Sequence, residues 1–219
     1  MGPAGFRDSP WSVYLPLVDR LLYRHAFEGA SARRYAALER PAFGDLDERI
    51  LDGLFDGRAP TGRLLDLGCG PGSLAATARR RYPGLTVLAL DPSRDFTCRP
   101  GFVRAAGEAL PLADRSIDVA IALSSIRHVR DRLRTLRELR RVVTERVVIV
   151  ELDPAADRAR IANHADHLGS SILRHAFRPL VVRTAPPARA IARLAETAGF
   201  RCLAVRPDAI QPVYVMELA

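Results

Sequence analysis

An α/β fold built on a mostly parallel sheet is the fold class this sequence predicts, and three observations carry it. Short apolar runs suited to buried strands recur at residues 63–67, 85–90, 102–105, 118–123 and 146–150. Stretches of helical period follow the first and fourth of these runs, at residues 73–82 and 131–143. The first run leads through Asp66-Leu67-Gly68-Cys69-Gly70-Pro71-Gly72 straight into a helix starting at Ser73, the strand–turn–helix beginning of a βαβ unit. A chain of 219 residues suits one such domain with an appendage.

The loop at residues 68–72 is the most informative stretch. Glycines at alternate positions let a ligand lie against the main chain, and the helix that follows offers free N–H groups. The spacing is G-x-G-x-G rather than the dinucleotide pattern G-x-G-x-x-G, and Asp66 stands two residues before the first glycine. A carboxylate there repels a pyrophosphate and suits a cationic ligand such as S-adenosylmethionine, which carries an ammonium and a sulfonium. Asp91, at the end of the second apolar run, has the spacing of an acid that accepts hydrogen bonds from ribose hydroxyls.

These residues resemble the core of the class I S-adenosylmethionine-dependent methyltransferases. The similarity continues through Val103 to Pro111, through Ser116-Ile117-Asp118-Val119-Ala120-Ile121-Ala122 and through Leu136-Arg137-Glu138-Leu139-Arg140-Arg141-Val142, so that residues 60–153 follow the family order. The resemblance implies a Rossmann-like, mostly parallel seven-stranded sheet whose last strand is antiparallel, with an N-terminal helical cap. It implies S-adenosyl-L-methionine as cofactor, held by Asp66, Gly68, Cys69, Gly70, Gly72, Asp91, Pro92, Gly107, Glu108, Ala122 and Leu123. Two departures stand out. Ala106 occupies a position where many members carry an acid for the adenine amino group, and only ten residues separate Asp91 from Phe102, where a full helix usually fits. The second departure leaves one side of the adenine region either more open or covered by another part of the chain. Glu108 is open to two readings, a ligand contact or a residue that structures its own loop.

Composition narrows the partners. The net charge of +8 invites a nucleic-acid reading, but the sequence has no lysine, and its 33 basic residues are all arginine, dispersed rather than clustered with aromatics. GC-rich coding bias, as in a bacterial genome, explains that pattern more simply. Three unpaired cysteines, Cys69, Cys98 and Cys202, argue for a reducing compartment, and no apolar run is long enough to span a bilayer. A cytoplasmic monomer or homodimer is expected, without nucleic acid or membrane as partner.

Ahead of the sheet, residues 11–39 and 44–55 read as amphipathic helices. Residues 1–60 thus form a helical cap or lid, with Tyr14 and Tyr23 as candidate substrate contacts, or else pack plainly on the sheet edge; His25 and Tyr35 share that segment. The core is expected over residues 61–219, with residues 155–187 as a substrate-side insertion. Within the insertion a helix over 155–175 carries His164, His167 and His175. His164 and His167, three apart on one face, are candidate substrate contacts; they could also pack, or ligate a metal with Asp166 or His175, although no metal is expected. Helix 188–198 stops at Gly199, and residues 201–206 and 213–218 close the sheet as an antiparallel hairpin.

Two groups at the sheet's carboxyl edge are candidates for the chemistry. His128 follows the fourth strand and Glu151 ends the fifth, the places where some family members set a histidine and a carboxylate that act together as a base. Methyl transfer needs a base only when the acceptor atom holds a proton that must leave. The expected activity is methyl transfer to oxygen, nitrogen or carbon of a small biosynthetic acceptor. An RNA- or protein-modifying enzyme and a catalytically silent cofactor-binding subunit are the alternatives, the first disfavoured by Leu123-Ser124-Ser125-Ile126 where base-nitrogen enzymes carry an Asn-Pro-Pro-Tyr-like motif.

Overall fold

The computed structural model describes residues 43–56, 60–96, 101–166 and 185–219, together with Gly29, Ala32, Arg33 and Ala36. Seven strands, β1 (Gly62–Leu67), β2 (Leu85–Asp91), β3 (Phe102–Arg104), β4 (Ile117–Leu123), β5 (Val143–Leu152), β6 (Cys202–Pro207) and β7 (Val213–Leu218), form one sheet in the order β3-β2-β1-β4-β5-β7-β6. Strands β1 to β5 run parallel, and β7 inserts antiparallel between β5 and β6. The last strand of the chain is therefore the reversed one, and β6 takes the sheet edge.

Alternation within each strand divides the core in two. Leu64, Val87, Ile121, Val148 and Val150 point to the face covered by α1 (Leu46–Phe55), α2 (Ser73–Arg81) and α4 (Arg158–Asp166). Leu65, Leu67, Ala120, Ile149, Tyr214 and Met216 point to the face covered by α3 (Arg132–Val142) and α5 (Ala188–Thr197). Strands buried on both sides read as continuous apolar runs, which is how the sequence shows them. β1 pairs with β2 on one side and β4 on the other, so the strand order reverses at its carboxyl end. Open α/β sheets bind ligands at such a reversal.

Some boundaries differ from the expectation for local reasons. β5 starts at Val143, directly after α3, because Val143 is already extended (φ −94°, ψ 139°) and pairs with Ile117. The helix expected over 155–175 starts at Arg158: Asp153 first makes a turn, its carboxylate accepting from Ala155 N, and Asp157 then accepts from Arg160 N. Residues 167–184 lie outside the described residues, and so do His167 and His175. Most of the expected helix 11–39 does too, with Tyr14, Tyr23, His25 and Tyr35, as does Cys98.

The short link between β2 and β3 is covered from elsewhere in the chain. Gly29, Ala32, Arg33 and Ala36 are helical, and Ala32 is fully buried. Gly29 N donates to Asp95 Oδ2 at 2.7 Å, and Arg33 Nη1 lies 3.6 Å from Asp95 Oδ1. An N-terminal element thus packs against the shortened segment. From the sheet side, Arg79 Nη2 donates to Val87 O and Gly101 O, and Arg104 Nε donates to Pro92 O.

Gly68 is required where it stands. Its φ is +69°, and a Cβ built on it would meet Ser125 Cβ at 2.4 Å. Left-handed backbone and steric overlap act together, so Gly68→Ala is expected to cost about 2 kcal/mol or more, a fall in Tm of roughly 5 °C measurable by circular dichroism.

Candidate functional site

Asp66 ends β1 beneath the glycine loop rather than in its mouth. It is 2% exposed, and Oδ2 accepts from Ala75 N, in the first turn of α2, at 3.2 Å. Asp91, at the tip of β2, is also buried; Oδ2 accepts from Gly70 N at 2.9 Å and Oδ1 from Ser93 N at 2.8 Å. Burial pushes its pKa up, opposed by those two N–H donors. Gly68 N and Cys69 N both donate to Leu90 O, at 2.7 and 3.0 Å. The loop is thus bonded to β2 and held from below by carboxylates.

The consequence for ligands is electrostatic. A phosphate at a helix N-terminus needs free N–H donors and an uncompensated dipole. Here Asp66 takes a first-turn N–H and Asp91 a loop N–H, each with a negative charge. A pyrophosphate meets two carboxylates, whereas a cationic nucleoside meets none of that penalty.

The residues fit S-adenosylmethionine on three further observations. Gly68, Gly70 and Gly72 all have positive φ, so the loop has no Cβ that could be accommodated without strain. Ser73 Oγ, at the first helical position, is buried without a hydrogen-bond partner among the described residues. Asp91 brings a carboxylate to the carboxyl edge of β2, where a vicinal diol can bond to it. Pro92 is exposed beside it, and Ala122 and Leu123 are buried at the tip of β4. The Cys69 thiol is buried with Sγ 3.7 Å from Gly70 O, and it packs behind the loop. Gly107 is buried under Thr135, whose Cγ2 would lie 2.8 Å from an added Cβ. Glu108 takes the structural reading: Oε1 accepts from Arg130 N at 2.6 Å and Asp131 N at 3.1 Å, fixing the approach to α3.

At the carboxyl edge of the sheet, the turn at residues 124–128 carries His128. Burial and the cationic neighbours Arg127 and Arg132 push its pKa from 6.5 down to about 3, so the imidazole is neutral at working pH and a weak proton acceptor. Glu151 is fully enclosed. Oε2 accepts from Arg127 N at 3.1 Å, Oε1 accepts from Leu152 N at 3.1 Å, and Arg127 Nη1 lies 4.0 Å from Oε1. Burial pushes its carboxyl up to about 7 against the pull of Arg127 and two main-chain donors. Among the described residues Glu151 is thus tied to the edge through the Arg127–His128 turn. Sequence reasoning missed Arg127, whose guanidinium side chain is 4% exposed; a charged residue inside the otherwise uncharged stretch 119–129 was the available signal.

His164 does not join this group. It is 3% exposed, its ring packs edge-on to Phe43 with centroids 4.8 Å apart, and Nδ1 donates to Gln211 Oε1 at 2.9 Å. This is the packed reading, in which the side chain ties α4 to the β6–β7 loop. Among the described residues no group of three or more His, Cys, Asp or Glu side chains is placed to hold a metal ion, and no helix is long and apolar enough to cross a membrane.

Fold and loop together define a methyltransferase scaffold of class I, and comparison with known proteins agrees. Residues 65–151 match the family model described as a methyltransferase domain. A malonyl-[acyl-carrier protein] O-methyltransferase of Geobacter sulfurreducens is 30% identical over 141 residues, covering 59% of this chain and 51% of that protein. An uncharacterized methyltransferase of Mycobacterium bovis is 42% identical over 80 residues, covering 32% and 31%. The chain spans about a third to a half of the length of these curated relatives. Among solved structures, an S-adenosylmethionine-dependent methyltransferase fold from Methanococcus maripaludis superposes with a TM-score of 0.67 at 15% identity, over 88% of this chain and 93% of that one. At that identity the likeness is one of fold. Residues 65–151 thus match a methyltransferase domain, and the sheet around them has the class I methyltransferase fold.

The pH behaviour of Glu151 follows with its sign. An acid whose folded pKa is raised from 4.5 to about 7 contributes stability that is full below 4.5, drains as pH rises towards 7 and is gone above it. Since Glu151→Gln cannot ionise, the stability of wild type relative to that variant is expected to fall across this window by roughly a few kcal/mol at most, read as a falling difference in Tm. A constant difference in scans from acid to neutral pH would show that Glu151 keeps one charge state throughout.

Proposed function

We propose that this protein transfers a methyl group from S-adenosylmethionine to oxygen, nitrogen or carbon of a small-molecule acceptor. The observation that carries this is the pair of buried carboxylates, Asp66 and Asp91, seated on N–H groups of the α2 first turn and the glycine loop. They make the loop hospitable to a positively charged nucleoside and hostile to phosphates. Gly68, Gly70, Gly72, Ser73 and Asp91 would hold the cofactor, with Asp91 on the ribose and Ser73 Oγ as a further polar contact. When bound, S-adenosylmethionine supplies an electrophilic methyl group on a sulfonium, displaced in line by the acceptor atom.

This chain's own part in that displacement is alignment and exclusion of water. His128 is held neutral with a pKa of about 3, and Glu151 is sealed beneath the surface. Neither is arranged to take a proton from an aliphatic alcohol. The geometry therefore favours acceptors that present a lone pair at neutral pH, such as a carboxylate, an acidic phenol, a stabilised carbanion or a weakly basic aromatic amine. The Geobacter relative's name, which specifies transfer to oxygen, is compatible with the first two. His128 then serves as an orienting hydrogen-bond partner.

A thermal-shift titration tests the cofactor half. S-adenosylhomocysteine at about a hundredfold over its Kd is expected to stabilise the wild type by roughly 2.7 kcal/mol. Asp91→Asn, which keeps an acceptor for Gly70 N but loses the charge, is expected to lose most of that shift. NADH is expected to give none; stabilisation by the dinucleotide in place of the nucleoside would sink the reading. Mass spectrometry of metabolite extracts incubated with protein and isotopically labelled S-adenosylmethionine then identifies the acceptor, and labelling of RNA alone would move the assignment to that class.

A further inference from the structure

The turn at residues 124–128 joins β4 to α3 at the carboxyl edge and is anchored from several directions. Ser124, at φ +51°, donates its N–H to Val150 O at 2.7 Å. Ser125 Oγ donates to Leu67 O at 2.7 Å, against Gly68 of the cofactor loop. Arg132 reaches back from α3, Nε donating to Ile126 O at 3.3 Å and Nη2 to Arg127 O at 3.0 Å. The remaining anchor is Glu151, which accepts Arg127 N and faces the same residue's guanidinium.

A buried carboxylate is a costly way to satisfy two main-chain N–H groups, Arg127 N and Leu152 N, since a neutral amide accepts such bonds without the desolvation penalty of a charge. The side-chain contact explains it. A guanidinium with 4% of its side chain exposed needs a counter-charge, and Glu151 supplies one from β5. The carboxylate thus holds Arg127 by main chain and side chain together, which fixes both position and orientation of the peptide leading to His128. We infer that Glu151 is a positioning residue for methyl transfer, acting through Arg127 to hold His128 where the acceptor enters. This rests on the methyltransferase reading above and gives Glu151 a role that direct contact with the acceptor cannot.

The groups facing Glu151 make the inference measurable. Arg127 lies on the turn, Arg132 on α3 and Tyr214 on β7, with Asp153 at the tip of β5 acting on Tyr214. Arginine stays charged, the Tyr214 hydroxyl is pushed up and His128 is pushed far down, so Glu151 is the one of these expected to titrate near neutrality. The test is nuclear magnetic resonance on the full chain with S-adenosylhomocysteine, whose binding is measured in parallel by calorimetry. The Arg127 amide of the wild type is expected to show an inflection near pH 7, absent in Glu151→Gln. His128 ring signals are expected to shift in Glu151→Gln, which still accepts Arg127 N but supplies no counter-charge, and to shift further in Glu151→Ala, which does neither. Should the alanine variant fail to fold, the wild type and the glutamine variant decide. His128 signals that stay in place in a folded glutamine or alanine variant that binds S-adenosylhomocysteine overturn the inference. Protein that does not bind S-adenosylhomocysteine overturns the methyltransferase reading and this inference with it.

Discussion

The architecture of the site depends on main-chain N–H groups whose acceptors are carboxylates coming from below. A glycine-rich turn into a helix is a ready anion receptor, and a fold that is to hold a cation there must cancel it. Asp66 does so at Ala75 N and Asp91 at Gly70 N. The same bonds have a mechanical effect. With Gly68 N and Cys69 N donating to Leu90 O, they fasten a loop of flexible residues to two adjacent strand ends. A loop fixed beforehand loses little conformational entropy when a ligand arrives. Selectivity and preorganisation thus come from one set of contacts.

The turn between β4 and α3 repeats this logic with a harder residue. Arg127 is buried beside a histidine, and two arginines near one imidazole would be unfavourable without Glu151 between β5 and the turn. Ser125 connects the two halves, its hydroxyl bonded to the end of β1 and its Cβ occupying the space that Gly68 leaves open. Cofactor loop and acceptor turn are therefore packed against one another at the point where the strand order reverses. Movement of either would be felt by the other through a contact that tolerates no added atom.

Sheet, strand order of function-bearing ends and glycine loop were legible because each rests on local pattern. Doubly buried strands such as β4 are apolar throughout, and the loop must be glycine wherever φ is positive. What the sequence did not disclose is direction and depth. Asp66 reads as an acid facing a cationic ligand, and the fold turns it to Ala75 N of α2; His164 is open in the sequence between substrate contact, metal ligand and packing, and Phe43 and Gln211 pack around it. For His164 the partner lies far away in the chain, Gln211 being 47 residues off. Periodicity carries no information about such pairs. Arg127 went unnoticed for the same reason, its counter-charge being on another strand.

Long-range polar pairs also account for how the segments outside the regular βαβ pattern are attached. The short segment between β2 and β3 has Phe96 buried, and a helical element around Ala32 is fastened to the neighbouring Asp95. At the other end of the same edge, Arg49 of α1 pairs with Asp208, Arg160 of α4 donates to Asp208 O, and His164 bonds to Gln211. The β6–β7 loop is thereby the node for two helices that do not share a crossover. Asp208 further accepts from Ile210 N and Gln211 N, so the node is itself a closed turn. Because β7 runs antiparallel to β5, its first residues lie beside Leu152, at the strand tip bearing Glu151. The reversal of the final strand thus does more than close the sheet. It returns the chain to the carboxyl edge, where the turn at residues 208–212 anchors α1 and α4.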